Sequence, residues 1–162
     1  MPLPRCAPAL VPALGVLLAL APAPYARTAH AAGPGTRAPA VRVVADSLAR
    51  RAERYVRLGR PREAEAPARE ALRLATSASD TSLILRSLRW LAVSVGNQGR
   101  SAEMAATWER ALPIATASGD FGAQGFARLG IGYHVLAGER AAVALREFES
   151  ARRLFLRAGD PV

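Results

Sequence analysis

The side chains on which most enzymes depend are scarce in this chain of 162 residues. It has one cysteine, Cys6, and two histidines, His30 and His134. A zinc site or a cysteine–histidine pair needs several such residues together. A serine hydrolase would have to use His134, but no G-x-S-x-G motif precedes it. The sequence therefore predicts no enzyme activity, no metal site and no cofactor.

The carboxylates and glycines give no stronger sign of catalysis. Glu63 with Glu65, and Glu147 with Glu149, are two residues apart. Side chains at that spacing point to different sides of a helix, so neither pair converges as a general acid and base. The glycine-rich stretch 130–132 lies inside a helical pattern, which predicts close helix packing and not a nucleotide-binding loop.

Arginine is the one functional side chain in excess. All 22 basic residues are arginine, against 13 acidic residues, and the formal net charge is +9. Many arginines follow an acid by four residues, as in Asp46/Arg50 and Glu53/Arg57. This spacing predicts ion pairs along helix surfaces, so we expect no nucleic-acid partner.

A repeat of 40 residues would position these side chains. Asp80, Asp120 and Asp160 have this spacing, and Leu58–Arg60 recurs as Gln98–Arg100. The third copy of that turn is taken as Ala137-Gly138-Glu139, displaced by a residue or two. Apolar residues recur three and four apart, which predicts two helices per period. The predicted helices are 41–57, 61–77, 82–97, 101–117, 121–136 and 140–157.

The repeat resembles a known family. Gly59–Ala64 has the pattern G-R-x-x-E-A, and Ala71–Ala75 has A-L-x-x-A. Leu129, Gly130 and Tyr133 match the family's first-helix pattern of leucine, glycine and tyrosine. Together these are similar to tetratricopeptide repeats (TPR), in the longer variety of about 40 residues. HEAT-like repeats have a similar period and remain the alternative fold.

The resemblance implies an all-α, right-handed helical-hairpin solenoid of three repeats over residues 41–160. The repeats would be about 41–79, 80–119 and 120–159. It also implies a non-catalytic scaffold that binds a protein or peptide. The alternative is a repeat fragment of a larger sensory or peptidase-like protein whose C-terminal domain is catalytic.

The resemblance places the binding surface on the first helix of each pair, which lines the concave wall in that family. The residues expected there are Arg57, Arg86, Arg89, Asn97, Gln124 and His134. Arg86 and Arg89 are three apart on one helix face. With Asn97 they could hold a carboxylate, because arginine offers paired donors, so an acidic peptide is the expected ligand.

The first residues predict export. Arg5 precedes the apolar stretch Ala7–Ala21, and Ala29–Ala31 has the small-x-small form of a cleavage site. The apolar stretch has 15 residues, whereas a membrane-spanning helix needs about 20, so no stable membrane span is expected. We predict a signal peptide at 1–31, cleaved after Ala31, a flexible lead-in at 32–40, and a secreted or periplasmic protein. An uncleaved membrane anchor is the alternative.

The last helix predicts a further contact. Phe148, Leu154 and Phe155 would be partly uncovered there, because terminal repeats need a polar outer face. Either a homodimer through the C-terminal helix or a longer protein would cover them, and a module that assembles only with itself is the rival to the scaffold.

Overall fold

The computed structural model describes the backbone of residues 34–159 and the side chains of residues 39–159. The segment predicted as a signal peptide, 1–31, lies outside these residues. The described chain is all α, as predicted, and contains six helices and no strand. They are α1 (Pro34–Arg57), α2 (Pro61–Ser77), α3 (Thr81–Gly96), α4 (Ser101–Ser118), α5 (Phe121–Ala137) and α6 (Ala141–Ala158).

The helices form three hairpins, α1–α2, α3–α4 and α5–α6, that stack in chain order. Each helix contacts the next one, and the first helices also contact each other, α1 with α3 and α3 with α5. Among the described helices, the backbones of the second helices α2, α4 and α6 do not approach each other in this way, although side chains can still bridge them. The first helices are therefore closer together and lie on the inner side of the stack.

The first helix begins earlier than predicted. α1 starts at Pro34, so part of the segment expected to be a flexible lead-in, 32–40, is helical. Proline suits the first position of a helix, because the N–H it lacks would have no partner there.

The aspartates of the repeat begin the first helices. Asp80 accepts a hydrogen bond from the Leu83 N–H at 3.1 Å, and Asp120 accepts one from the Ala123 N–H at 2.8 Å. Each carboxylate satisfies a backbone donor that has no partner inside the helix. Asp160, the third member, lies outside the described residues.

The turns repeat every 40 residues without a shift, which corrects the sequence alignment of the third copy. Two sets of three residues have positive φ: Gly59 (68°), Gly99 (80°) and Glu139 (61°), and Ser79 (51°), Gly119 (70°) and Gly159 (75°). Gly138, which was aligned with Gly59 and Gly99, has φ −90°. The repeats were aligned by their glycines, which placed Gly138 at this position. The residue with positive φ in the third turn is Glu139.

Glycines allow the close helix contacts that the sequence predicted. A Cβ on Gly130 would overlap the indole of Trp108, which is only 5% exposed. In the second hairpin, a Cβ on Gly96 would lie 2.6 Å from the Met104 Sδ. Gly96 therefore explains how Met104 fits at a position where the other two hairpins have alanine.

Of the three apolar residues of α6 expected to be partly uncovered, only Phe155 is more covered than predicted. Phe155 is 7% exposed, while Phe148 and Leu154 are half-buried. A Cβ on Gly125 would lie 2.7 Å from the Phe155 ring, and one on Gly132 would lie 2.5 Å from the Phe148 ring. The glycines of α5 thus let both rings pack against α5 within their own hairpin.

A ring of four charged side chains joins the first hairpin to the second. Glu65 pairs with Arg69 at 2.8 Å and with Arg100 at 2.6 Å, and Glu103 pairs with the same two arginines. Burial disfavours the charged form of Glu65, but hydrogen bonds from Arg69, Gln98 and Arg100 outweigh that cost and lower its pKa. Glu65 therefore stays ionised at neutral pH and holds α2 against the start of α4.

Candidate binding groove

A groove of about 460 Å³ lies on the face of the stack formed by the first helices. It is lined by residues of α1, α3 and the start of α5, and by two residues of α4. The lining residues are Glu53, Arg57, Ser82, Leu85, Arg86, Arg89, Trp90, Trp108, Ala111, Asp120, Gly122, Ala123 and Phe126.

Arg89 lies at the aromatic part of the groove. Its guanidinium carbon is 3.5 Å from the centre of the Phe126 ring and 5.1 Å from that of Trp90. A guanidinium over a ring face is attracted by the ring's quadrupole, and its apolar surfaces are covered at the same time. Arg89 therefore links α3 to α5 across the groove.

Arg86 is held by α1. Its guanidinium forms an ion pair with Asp46, and Arg50 binds the same carboxylate at 2.7 Å. The hydrogen bond from Arg50, together with the charges of Arg50 and Arg86, lowers the pKa of Asp46 although burial opposes the shift. A carboxylate ligand would therefore have to share Arg86 with Asp46.

The remaining charges balance most of the arginines. Arg57 pairs with Glu53 at 2.7 Å on the α1 side, and Asp120 caps α5 on the other side. The lining thus has three arginines and two acids, with an aromatic wall between them. The groove is amphipathic, with a modest positive excess.

The structure brings together only part of the predicted binding set. Arg57, Arg86 and Arg89 all line the groove, whereas Asn97 and Gln124 do not. Asn97 is the exposed residue that ends α3, and its N–H bonds to the Val93 carbonyl. The Gln124 side chain donates to the Ala115 carbonyl at 3.2 Å, so it is directed to the last turn of α4.

His134 lies in a different place from the predicted set. Its Nδ1 is 2.8 Å from the Ser101 hydroxyl, at the junction between the start of α4 and the end of α5. This junction opens to a shallow space of about 650 Å³ that Arg100 and Arg140 also line. His134 is in the last turn of α5, far along the helix from the residues of α5 that line the groove, and this separation explains why it lies outside the groove.

The sequence analysis missed the aromatic character of the groove. Trp90, Phe126 and Trp108 were not among the residues predicted to bind a partner. The sequence does show that Arg89 and Trp90 are adjacent and that Phe126 lies three residues after Ala123. It does not show that these residues meet, because they meet only through the packing of α3 beside α5.

No group of three histidine, cysteine, aspartate or glutamate side chains within residues 39–159 is arranged to hold a metal ion. No helix in the described part of the chain has the length and apolar character needed to cross a membrane.

Comparison with known proteins supports the fold. No protein-family model matches the sequence, and no curated protein matches it significantly. Among solved structures, the TPR domain of Arabidopsis FLU superposes with a TM-score of 0.66 at 18% sequence identity. The match covers 72% of this chain and 98% of that chain. The stacked helical hairpins of this protein have a tetratricopeptide-repeat fold.

Proposed function

We propose that this protein is a non-catalytic scaffold that binds a segment of another protein, or a peptide, in the groove between α1, α3 and α5. The observation that carries the proposal is the half-buried aromatic wall of Trp90 and Phe126 that lines the groove, with Arg89 stacked on it and Arg86 beside it. Such a surface combines apolar area with charged hydrogen-bond donors. The residues that contribute most of the binding free energy at protein interfaces, the hot spots, are enriched in tryptophan and arginine.

The groove favours a segment with an apolar side chain next to a carboxylate. The apolar side chain would cover the Trp90–Phe126 wall, and the carboxylate would bind Arg89 and take part of the Arg86 donors from Asp46. Charge-assisted bonds to arginine are strong when bidentate and depend on ionic strength. We expect binding to weaken as salt rises, since the groove's excess positive charge is partly exposed.

Site-specific crosslinking tests the location of binding. A photoreactive residue at Ser82, which is exposed in the groove, should capture peptide from the native environment, and one at Arg110 on the outer face of α4 should not. The captured sequence, made as a synthetic peptide, then gives affinities for the wild type and for Trp90→Ala. Equal capture at both positions, or an affinity unchanged by Trp90→Ala, would contradict the proposal.

We further propose that the protein acts outside the cytoplasm, in secreted or periplasmic form. The proposal rests on the N-terminal sequence alone, where a positive start, a short apolar stretch and a small-x-small end follow one another. N-terminal sequencing of the protein recovered from cell fractions tests it. A new terminus at Ala32 in the extracellular or periplasmic fraction supports export, and an intact Met1 in the cytoplasm contradicts it.

A further inference from the structure

The outer face of α6 has a self-complementary pattern. Leu145, Glu149, Arg152 and Leu156 are spaced by four, three and four residues, so they form one stripe along the helix. Leu145 is 58% exposed and Leu156 is 63% exposed. Glu149 and Arg152 lie between them and are also exposed. Among the described residues, neither of these two charged side chains has a hydrogen-bond or ion-pair partner.

The start of this stripe occupies positions that take part in packing in the other two hairpins. On α2 the positions equivalent to Leu145 and Glu149 are Glu65 and Arg69, and these two bind Arg100 and Glu103 of the next hairpin. On α4 the residue equivalent to Leu145 is Ala105, which is only 4% exposed. In α6 the same face is open to solvent.

We infer that this stripe is the interface of a homodimer, in which α6 packs antiparallel to α6 of a second copy around a two-fold axis. If the axis passes between Ser150 and Ala151, Leu145 lies opposite Leu156 of the second copy. In the same register, Glu149 lies opposite Arg152 of the second copy. Each contact then occurs twice, as an isologous interface requires.

The charge pattern favours the antiparallel pairing of α6 over a parallel pairing that would also cover the leucines. A parallel pair of α6 helices would place Glu149 beside Glu149 and Arg152 beside Arg152, and like charges in contact are unfavourable. In the antiparallel register all four charges meet an opposite charge. The apolar pairs lie at the two ends of the stripe, with the ion pairs at its centre.

Sedimentation of the full chain, purified in the form that the cell produces, tests the dimer. The wild type should dimerise with rising concentration, and Leu145→Glu/Leu156→Glu should weaken association at least tenfold. Leu58→Glu is the matched control, because Leu58 is 61% exposed on the first hairpin and should not affect association. A wild type that remains monomeric at all concentrations would overturn the inference.

Charge reversal tests the register. Glu149→Arg alone and Arg152→Glu alone should each weaken the dimer about tenfold, and the double reversal should restore it to within about threefold of the wild type. A dimer that is insensitive to either single change, or that the double reversal fails to restore, would overturn the antiparallel pairing.

Cysteine crosslinking gives an independent test of the same register. In a Cys6→Ser background, Leu145→Cys or Leu156→Cys alone should give no disulfide dimer, because the two copies of one such residue are about 16 Å apart along the helix axis. A mixture of the two variants should give a 145–156 disulfide. Efficient disulfide formation by either single variant would contradict the antiparallel pairing.

Discussion

Between residues 34 and 159, residues with positive φ recur on the 40-residue period, and two of these six are not glycine. Ser79 and Glu139 have φ values of 51° and 61° at positions where the other hairpins have glycine. A side chain with a Cβ is strained in this conformation, and the strain is about 1 kcal/mol. The fold is held at these turns by the packing of the helices around them.

We predict that Glu139→Gly stabilises the protein by about 0.5–1 kcal/mol, because glycine adopts positive φ without steric cost. Thermal or urea unfolding measures the change. Glu139→Ala is the control, since it removes the charge and keeps the Cβ, and it should give no gain. If the alanine variant gains as much as the glycine variant, the effect is due to charge and the explanation is wrong.

Arg89 is the residue on which the groove most depends. We predict that Arg89→Ala weakens binding of the captured peptide by about 10-fold or more, because it removes both the charged donor and the surface stacked on Phe126. Arg89→Lys should recover only part of the affinity, since lysine keeps the charge without the planar stacking surface. Titration calorimetry with that peptide gives both values.

Arg110→Ala is the control for general charge. Arg110 is exposed on α4 and does not line the groove. If Arg110→Ala weakens binding as much as Arg89→Ala, the peptide responds to the net charge of the protein and not to the groove.

At the scale of single elements, Gly96 and Met104 form a compensating pair between α3 and α4. A Cβ on Gly96 would come too close to the Met104 sulfur, so Gly96→Ala should destabilise the protein by about 1–3 kcal/mol. Met104→Ala should cost about 2 kcal/mol by leaving a cavity. Alanine in place of Met104 also makes room for a larger residue at Gly96.

The double variant Gly96→Ala/Met104→Ala should therefore be more stable than the sum of the two single effects predicts, by about 1 kcal/mol or more. Unfolding free energies of the four proteins give the coupling. Additive effects within about 0.3 kcal/mol would show that the two side chains do not compete for the same space.

The sequence predicted the bounds of the helices well, but it predicted the surroundings of their side chains less well. The recurrence of apolar residues three and four positions apart predicted the ends of all six helices to within a few residues, except for the start of α1. It placed Arg57, Arg86 and Arg89 on one wall because equivalent positions in a repeat fold share a face. Asn97, Gln124 and His134, which were predicted with them, do not line the groove.

The positions of these three residues have local causes. Asn97 follows the last residue of α3 and His134 lies in the last turn of α5, whereas the groove is lined by residues nearer the starts of these helices. The Gln124 side chain donates to a carbonyl of α4. Periodicity assigns a residue to a helix face, but it indicates neither the extent of a groove along the helix nor a bond to a neighbouring carbonyl.

At the scale of the whole molecule, the charged ring between the first two hairpins makes stability depend on pH. The pKa of Glu65 is lowered in the folded protein from its ordinary value of 4.5. The unfolded chain therefore binds a proton more readily, so the stabilisation is present above pH 4.5 and is lost as the pH falls below it. We predict that the wild type loses more thermal stability than Glu65→Gln between pH 7 and pH 3.

At pH 7, Glu65→Gln should lower the unfolding temperature by about 2 °C, as expected for a partly exposed ion-pair network. The difference should disappear towards pH 3. Glu109→Gln is the control, because Glu109 is exposed on α4 and is outside the ring. If the two melting curves stay separated by the same interval at every pH, ionisation of Glu65 does not contribute.

The charged ring also has no counterpart one period later. The positions equivalent to Glu65, Arg69, Arg100 and Glu103 are Ala105, Glu109, Arg140 and Val143. The second junction relies instead on Trp108 seated beneath Gly130. We therefore expect acid to weaken the junction between the first two hairpins more than the junction between the second and the third. Protonation of Glu65 removes its ion pairs with Arg69 and Arg100, whereas Ala105 at the equivalent place has no charge to lose.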